Sequence, residues 1–120
     1  MAVRGEIRTT EKFEKEAKRL IGKFPSLKSE LKSLSQTLLI NPKQGTPLGK
    51  NFYKIRPAIK SKGKGKSGGA GVITNLIVQK RVTDNPDHLY LATIYDKSEK
   101  ENIGDKELES MLKEITAREK

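Results

Sequence analysis

The hydrophobic residues of this 120-residue chain change period twice along its length, and that change restricts the fold more than any other feature. From Glu11 to Phe24, the residues Phe13, Ala17, Leu20, Ile21 and Phe24 recur at helical spacing, with Glu11 and Glu14 near the start where the helix dipole favours anions. Pro25 and Ser26 break and recap the chain, after which Leu27, Leu31, Leu34 and Leu38 keep the 3.6-residue period until Asn41-Pro42 ends it. The spacing predicts two helices forming an antiparallel hairpin. After a loop over residues 41–51 that bears Gly and Pro, the period falls to 2 across Phe52–Ile59. Ala70–Val82 is rich in Val, Ile and Thr. His88–Tyr95 follows the turn Asp84-Asn85-Pro86-Asp87, and both runs read as strands. None of these strands is separated from the next by enough chain for a crossover helix, so the sheet is expected to be mainly antiparallel. The helical period returns over residues 105–120, where Asp105 can cap and Leu108, Met111, Leu112 and Ile115 share one face. Val3 and Ile7 offer an edge strand over residues 3–9. The predicted order is (β)ααβββα. This is an α+β fold, a small antiparallel β-sheet packed by two N-terminal helices plus a C-terminal helix, in one domain over residues 1–120.

Charge is segregated along the same map. Residues 1–30 hold 8 basic and 5 acidic residues and residues 84–120 hold 6 and 10, whereas Leu31–Thr83 holds 11 Lys or Arg and no acid. The central segment thus accounts for the whole net charge of +10. Such a field suits a polyanion, nucleic acid above all, although small proteins are also basic for solubility alone. The chain has no cysteine, which excludes a disulfide framework, a thiolate zinc site, an iron–sulfur cluster and a cysteine nucleophile. No stretch approaches the roughly 18 apolar residues of a membrane span, so the expected location is cytoplasmic, with no membrane partner.

Several candidate chemistries fail on spacing. Gly65-Lys66-Ser67 matches the end of a phosphate-binding loop, but the first glycine of that motif falls on Lys60, and the run leads into a strand instead of a helix. His88, the single histidine, reads as a turn residue. It cannot form a paired-histidine nuclease or a His-rich metal site. The acids of 84–120 lie among opposite charges and mark no carboxylate pair, which argues against a two-metal nuclease. What remains is cationic. Lys60, Lys62, Lys64 and Lys66 alternate with glycine and serine in a loop between strands, a pattern that suits a nucleic-acid backbone, as it would a solvated loop without a partner. Period 2 places Phe52, Lys54 and Arg56 on one strand face, with Tyr53 and Ile55 on the other. The two cations stand about 7 Å apart, a spacing that serves neighbouring phosphates or the two sides of one reacting phosphate. An ordinary exposed sheet face would look the same.

Three stretches taken in order, FEKEAKRL, NFYKIRPAIKSKGKGKSGGAGVI and LATIYDKSEKENIGDKEL, resemble the RelE/ParE superfamily of bacterial toxins. KGKGKSGG and YDKSEKENI resemble its HigB-like branch. The resemblance covers nearly the whole chain and implies a RelE-like fold of the order read above. It also implies the toxin of a toxin–antitoxin module, a metal-independent and ribosome-dependent mRNA endoribonuclease that cuts in the A site. Its partners would be the ribosome, mRNA and a cognate antitoxin of helix-turn-helix type, and no cofactor is implied. Lys54 and Arg56 match the family's pair of catalytic basic residues, and Lys97 and Lys100 lie in the segment where further active-site groups occur. Lysine can act as base where neighbouring cations lower its pKa, while arginine stays charged.

The chain departs from the family pattern at Gly71, which stands where the family carries an arginine facing the scissile phosphate. Losing one such cation typically costs on the order of 10²–10³ in rate, so weakened activity is expected. Glycine also weakens a strand interior, so nothing structural is expected to favour it there. Two other readings compete. One is a non-catalytic DNA gyrase inhibitor, as in the ParE branch. The other is a plain RNA-binding module, for which Phe52 and Tyr95 would have to share a cationic face and stack bases.

Overall fold

The computed structural model describes residues 7–60, 69–77, 88–97, 99–100 and 102–118. Its elements are β1 (Ile7–Thr9), α1 (Glu11–Lys23), α2 (Leu27–Ile40), β2 (Thr46–Gly49), β3 (Phe52–Ile55), β4 (Ala70–Ile77), β5 (His88–Asp96) and α3 (Asp105–Arg118). The strands form one sheet in the order β1-β5-β4-β3-β2, parallel only where β1 meets β5. The fold is α+β. No helix among the described residues is long and apolar enough to cross a membrane.

The helices form where the apolar period places them. Thr10 caps α1: its Oγ1 accepts from the Phe13 amide at 3.0 Å and donates to the Ala92 carbonyl at 2.8 Å. Helix start and central strand are thereby fixed together. Ser26 precedes α2, but its hydroxyl donates to Glu30 Oε1 at 3.2 Å and makes no cap bond. α3 is capped one residue earlier than expected, at Gly104, whose N–H donates to Glu107 Oε1 at 3.3 Å in the manner of a capping box.

Both sheet faces are covered. Phe13, Ala17 and Leu20 of α1 and Leu27, Leu34 and Leu38 of α2 pack with Val72, Leu76, Leu89, Leu91 and Ile94. On the opposite face, Met111 and Ile115 of α3 pack with Phe52, Ile73, Tyr90, Ala92 and Tyr95. All nine residues of β5 are therefore buried. His88 is one of them, 8% exposed with its ring edge-on to Tyr90 at 5.7 Å, which corrects its reading as a turn residue.

Two strand expectations are also corrected. The loop over 41–51 contains β2, an exposed edge strand defined by its pairing with β3. Lys50 and Asn51 join the two with φ of 54° and 65°, the left-handed geometry of a two-residue hairpin. β3 ends at Ile55, short of the expected Ile59, because Pro57 has no N–H to continue the ladder. Its carbonyl instead accepts the Ala70 amide at 3.1 Å, and Gly69, at φ 53°, sits so close to that carbonyl that a Cβ would collide with it. Residues 78–82 of the expected second strand lie outside the described residues, as do residues 3–6 of the expected edge strand.

Candidate functional site

The side chain of Lys54 is the first unusual feature of the α3 face. Its residue is only 8% exposed, and its Nζ donates to Asn102 Oδ1 at 2.6 Å. The pleat that sends Phe52 into the core on this side sends Lys54 the same way, two residues on. Arg56 follows beyond the strand end and is exposed.

Across the sheet, Gly71 pairs with Tyr95. A Cβ built on Gly71 would stand 2.5 Å from both Cε1 and Oη of Tyr95 and nearer still to Cζ. The tyrosine ring therefore leans over β4 and occupies the space where a side chain at 71 would begin. This overturns the expectation that nothing structural favours glycine there. An aromatic ring covering a cross-strand glycine restores the packing that the missing side chain removes. Tyr95 is 5% exposed. Burial pushes its phenol above the ordinary value of 10.0, while the Arg56 charge pulls it down and the Glu107 charge pushes it up. Arg56 and Glu107 thus both act on the phenol.

The chain between β5 and α3 brings in the remaining groups. The Glu99 and Lys100 amides donate to the Asp96 carbonyl, each at 2.9 Å. Arg19 of α1 grips Glu99 through two contacts at 2.8 and 3.3 Å, and Lys23 lies 3.5 Å from Glu99 and 3.9 Å from the buried Asp96 carboxylate. The hydrogen bond from Arg19 holds the Glu99 carboxyl below its usual range. Lys100 Nζ hydrogen-bonds Glu107, and Lys12 lies 3.8 Å from the same oxygen. The Lys100 hydrogen bond is the main reason the Glu107 carboxyl titrates below its usual value. A groove of about 330 Å³ lies between the β2–β3 hairpin and α3, with Leu48, Phe52, Leu108 and Leu112 in its wall.

Lys54, Arg56, Gly71 and, through Glu107, Lys100 therefore gather on one side of the sheet. Lys97 is half-buried at the end of β5, its amide donating to the Gly69 carbonyl at 3.1 Å. Among the described residues its ammonium makes no hydrogen bond or ion pair. Lys60 is held elsewhere: its amide donates to Glu30 Oε2 of α2 at 2.8 Å, beside Pro57 and Ala58, on the α1–α2 side. Lys62, Lys64 and Lys66 lie outside the described residues. Sequence reasoning missed Asn102 and Glu107 as members of the cluster and assigned Tyr95 only a stacking role. The helical period of α3 locates Glu107 on that helix, but no local signal marks Asn102, which is 48 positions from Lys54.

No protein-family model matches this chain, and a search of curated proteins finds no significant match.

Proposed function

We propose that this chain is the toxin of a bacterial toxin–antitoxin module, a RelE/ParE-type endoribonuclease of the HigB-like branch that cuts mRNA on the ribosome. The observation that carries the reading is the convergence of Lys54 and Arg56, from a segment without acids, on the sheet face that also holds Tyr95 and receives Lys100. Metal-free RNA cleavage needs a group to take the 2′-hydroxyl proton, fixed positive charge for the phosphorane, and a proton for the leaving oxygen. Lys54 acts as the base in this reading. Its burial and short bond to Asn102 fix it in one orientation, which is worth more to a reaction than a mobile surface lysine. Arg56, exposed at the strand end, meets the phosphate. Gly71 supplies no cation, so the rate falls below that of a family member with arginine there. The ribosome presents the mRNA, and a helix-turn-helix antitoxin masks the cationic face.

The test is translation with purified ribosomes and one defined mRNA, with cut sites mapped by primer extension. Cuts that require both ribosome and protein, and vanish with Lys54→Ala, are the expected result. No cleavage by the parent chain would overturn the reading, and inhibition of gyrase supercoiling by the same preparation would then place it with the non-catalytic inhibitors.

A further inference from the structure

We infer that the Tyr95 hydroxyl is a catalytic group of this site, delivering the proton to the leaving 5′-oxygen of the cleaved RNA. The inference rests on the endoribonuclease reading and adds to it a group that the cationic motifs do not contain.

The geometry starts from the row that crosses the sheet. Gly71 of β4 pairs with Tyr95 of β5 on one side. On the other, Val72 pairs with Ile55, so Gly71 lies level with Arg56 just past the end of β3. Because residue 71 has no side chain, the Tyr95 ring reaches over it and sets its hydroxyl above β4. β4, over which that hydroxyl lies, is the immediate neighbour of the strand that carries Lys54 and Arg56, about 4.8 Å away at the backbone. Side chains of neighbouring strands on one sheet face lie within reach of each other, so a phosphate bound beyond the end of β3 meets both. Nothing of residue 71 stands between the phenol and Arg56. Gly71 in this account is the partner of Tyr95: the lost arginine is exchanged for a phenol that fills the same place.

The chemistry balances. The 2′-oxygen attacks phosphorus and gives its proton to Lys54 Nζ, which reacts as the neutral amine, while the bond from phosphorus to the 5′-oxygen breaks and that oxygen takes the phenol proton. The products are a 2′,3′-cyclic phosphate and a free 5′-hydroxyl, and the phenolate recovers its proton from the Lys54 ammonium through water. A phenol buried on an apolar layer with Phe52, Ile73 and Tyr90 stays protonated until the phosphate arrives.

Tyr95→Phe keeps the ring over Gly71 and removes only the proton. The assay uses ribosomes carrying either natural mRNA or mRNA with sulfur replacing the 5′-oxygen at the cut site. A thiolate leaves without a proton, so it does not need an acid. We expect Tyr95→Phe to cut natural mRNA about 100-fold more slowly than the parent, and to recover to within a few-fold on the sulfur substrate. Equal rates for the variant and the parent on natural mRNA would overturn the role of Tyr95 alone. A variant equally slow on both substrates would show that the hydroxyl serves structure and not proton transfer. A parent chain that cuts neither substrate would overturn the endoribonuclease reading and this inference together.

Discussion

Gly71→Ala probes the steric pairing at the centre of the site without any assumption about function. The new Cβ would stand 2.5 Å from Cε1 and Oη of Tyr95, whereas non-bonded carbons settle at about 3.5–4.0 Å, so the ring must retreat by about 1 Å or more. It has little room to do so, being 5% exposed in a layer with Phe52, Ile73, Tyr90 and Met111. Overpacking of this kind costs about 1–3 kcal/mol. Loss of glycine's freedom in the unfolded chain returns about 0.4–1 kcal/mol, leaving a net destabilisation of about 1–2 kcal/mol. At about 2.1 cal/mol/K per residue, the unfolding entropy of this chain is about 0.25 kcal/mol/K, so the melting temperature falls by about 4–8 °C. Scanning calorimetry on the parent, Gly71→Ala, Tyr95→Ala and the double variant separates the pair from the sites. Once Tyr95 is truncated, Gly71→Ala should be neutral or stabilising, a coupling of about 1–2 kcal/mol. Gly71→Arg, the change that the family resemblance invites, brings the same Cβ and displaces the same ring. A melting temperature unchanged or raised by Gly71→Ala in the presence of Tyr95 would refute the steric argument.

Two further perturbations test the scaffold. Thr10→Val keeps the shape of a fully buried side chain but removes the α1 cap and the hydroxyl's bond to the Ala92 carbonyl; urea unfolding should show a loss of about 2 kcal/mol with an unchanged slope. Glu107 is held ionised by Lys100, so its folded-state pKa lies below the usual 4.5. The stability it contributes is present above the unfolded value and is lost as pH falls through the folded one. Melting curves of the parent and Glu107→Gln should therefore differ at neutral pH and converge under acid, with the difference shrinking in high salt because the pair is solvent-exposed.

What could be read from the sequence was what depends on local spacing. Phe13, Ala17 and Leu20, then Leu27, Leu34 and Leu38, announce α1 and α2 because one helical face must be apolar. β4 and β5 announce themselves because strands buried on both faces need β-branched and apolar residues almost throughout. β2 carries no such signal: Thr46, Pro47, Leu48 and Gly49 are all exposed, and β3 alone makes them a strand. Period 2 put Lys54 on the Phe52 face correctly, yet gave no warning that the lysine is buried, since burial depends on α3 and on Asn102 arriving from far along the chain. The irregularity between Ile73 and Thr74 shifts the register of β4 against β5. Which residue faces Gly71 is fixed by that shift and is invisible in either strand by itself.

Segregation of charge along the sequence takes on a second meaning in the fold. The acid-rich last third returns to pack beside an acid-free strand, and simple electrostatics would have its carboxylates neutralise Lys54 and Arg56. Glu99 and Glu107 are instead engaged elsewhere, Glu99 by Arg19 and Lys23 and Glu107 by Lys100 and Lys12. From this segment the amide oxygen of Asn102 accepts from Lys54 Nζ, a bond that fixes the direction of the lysine side chain. Cations of α1 thus compensate the acids of the β5–α3 connection. An incoming polyanion gains most where positive charge has not already been matched by the protein's own carboxylates; among the described residues the exposed Arg56 meets that condition, whereas Arg19 and Lys23 of α1 are already paired.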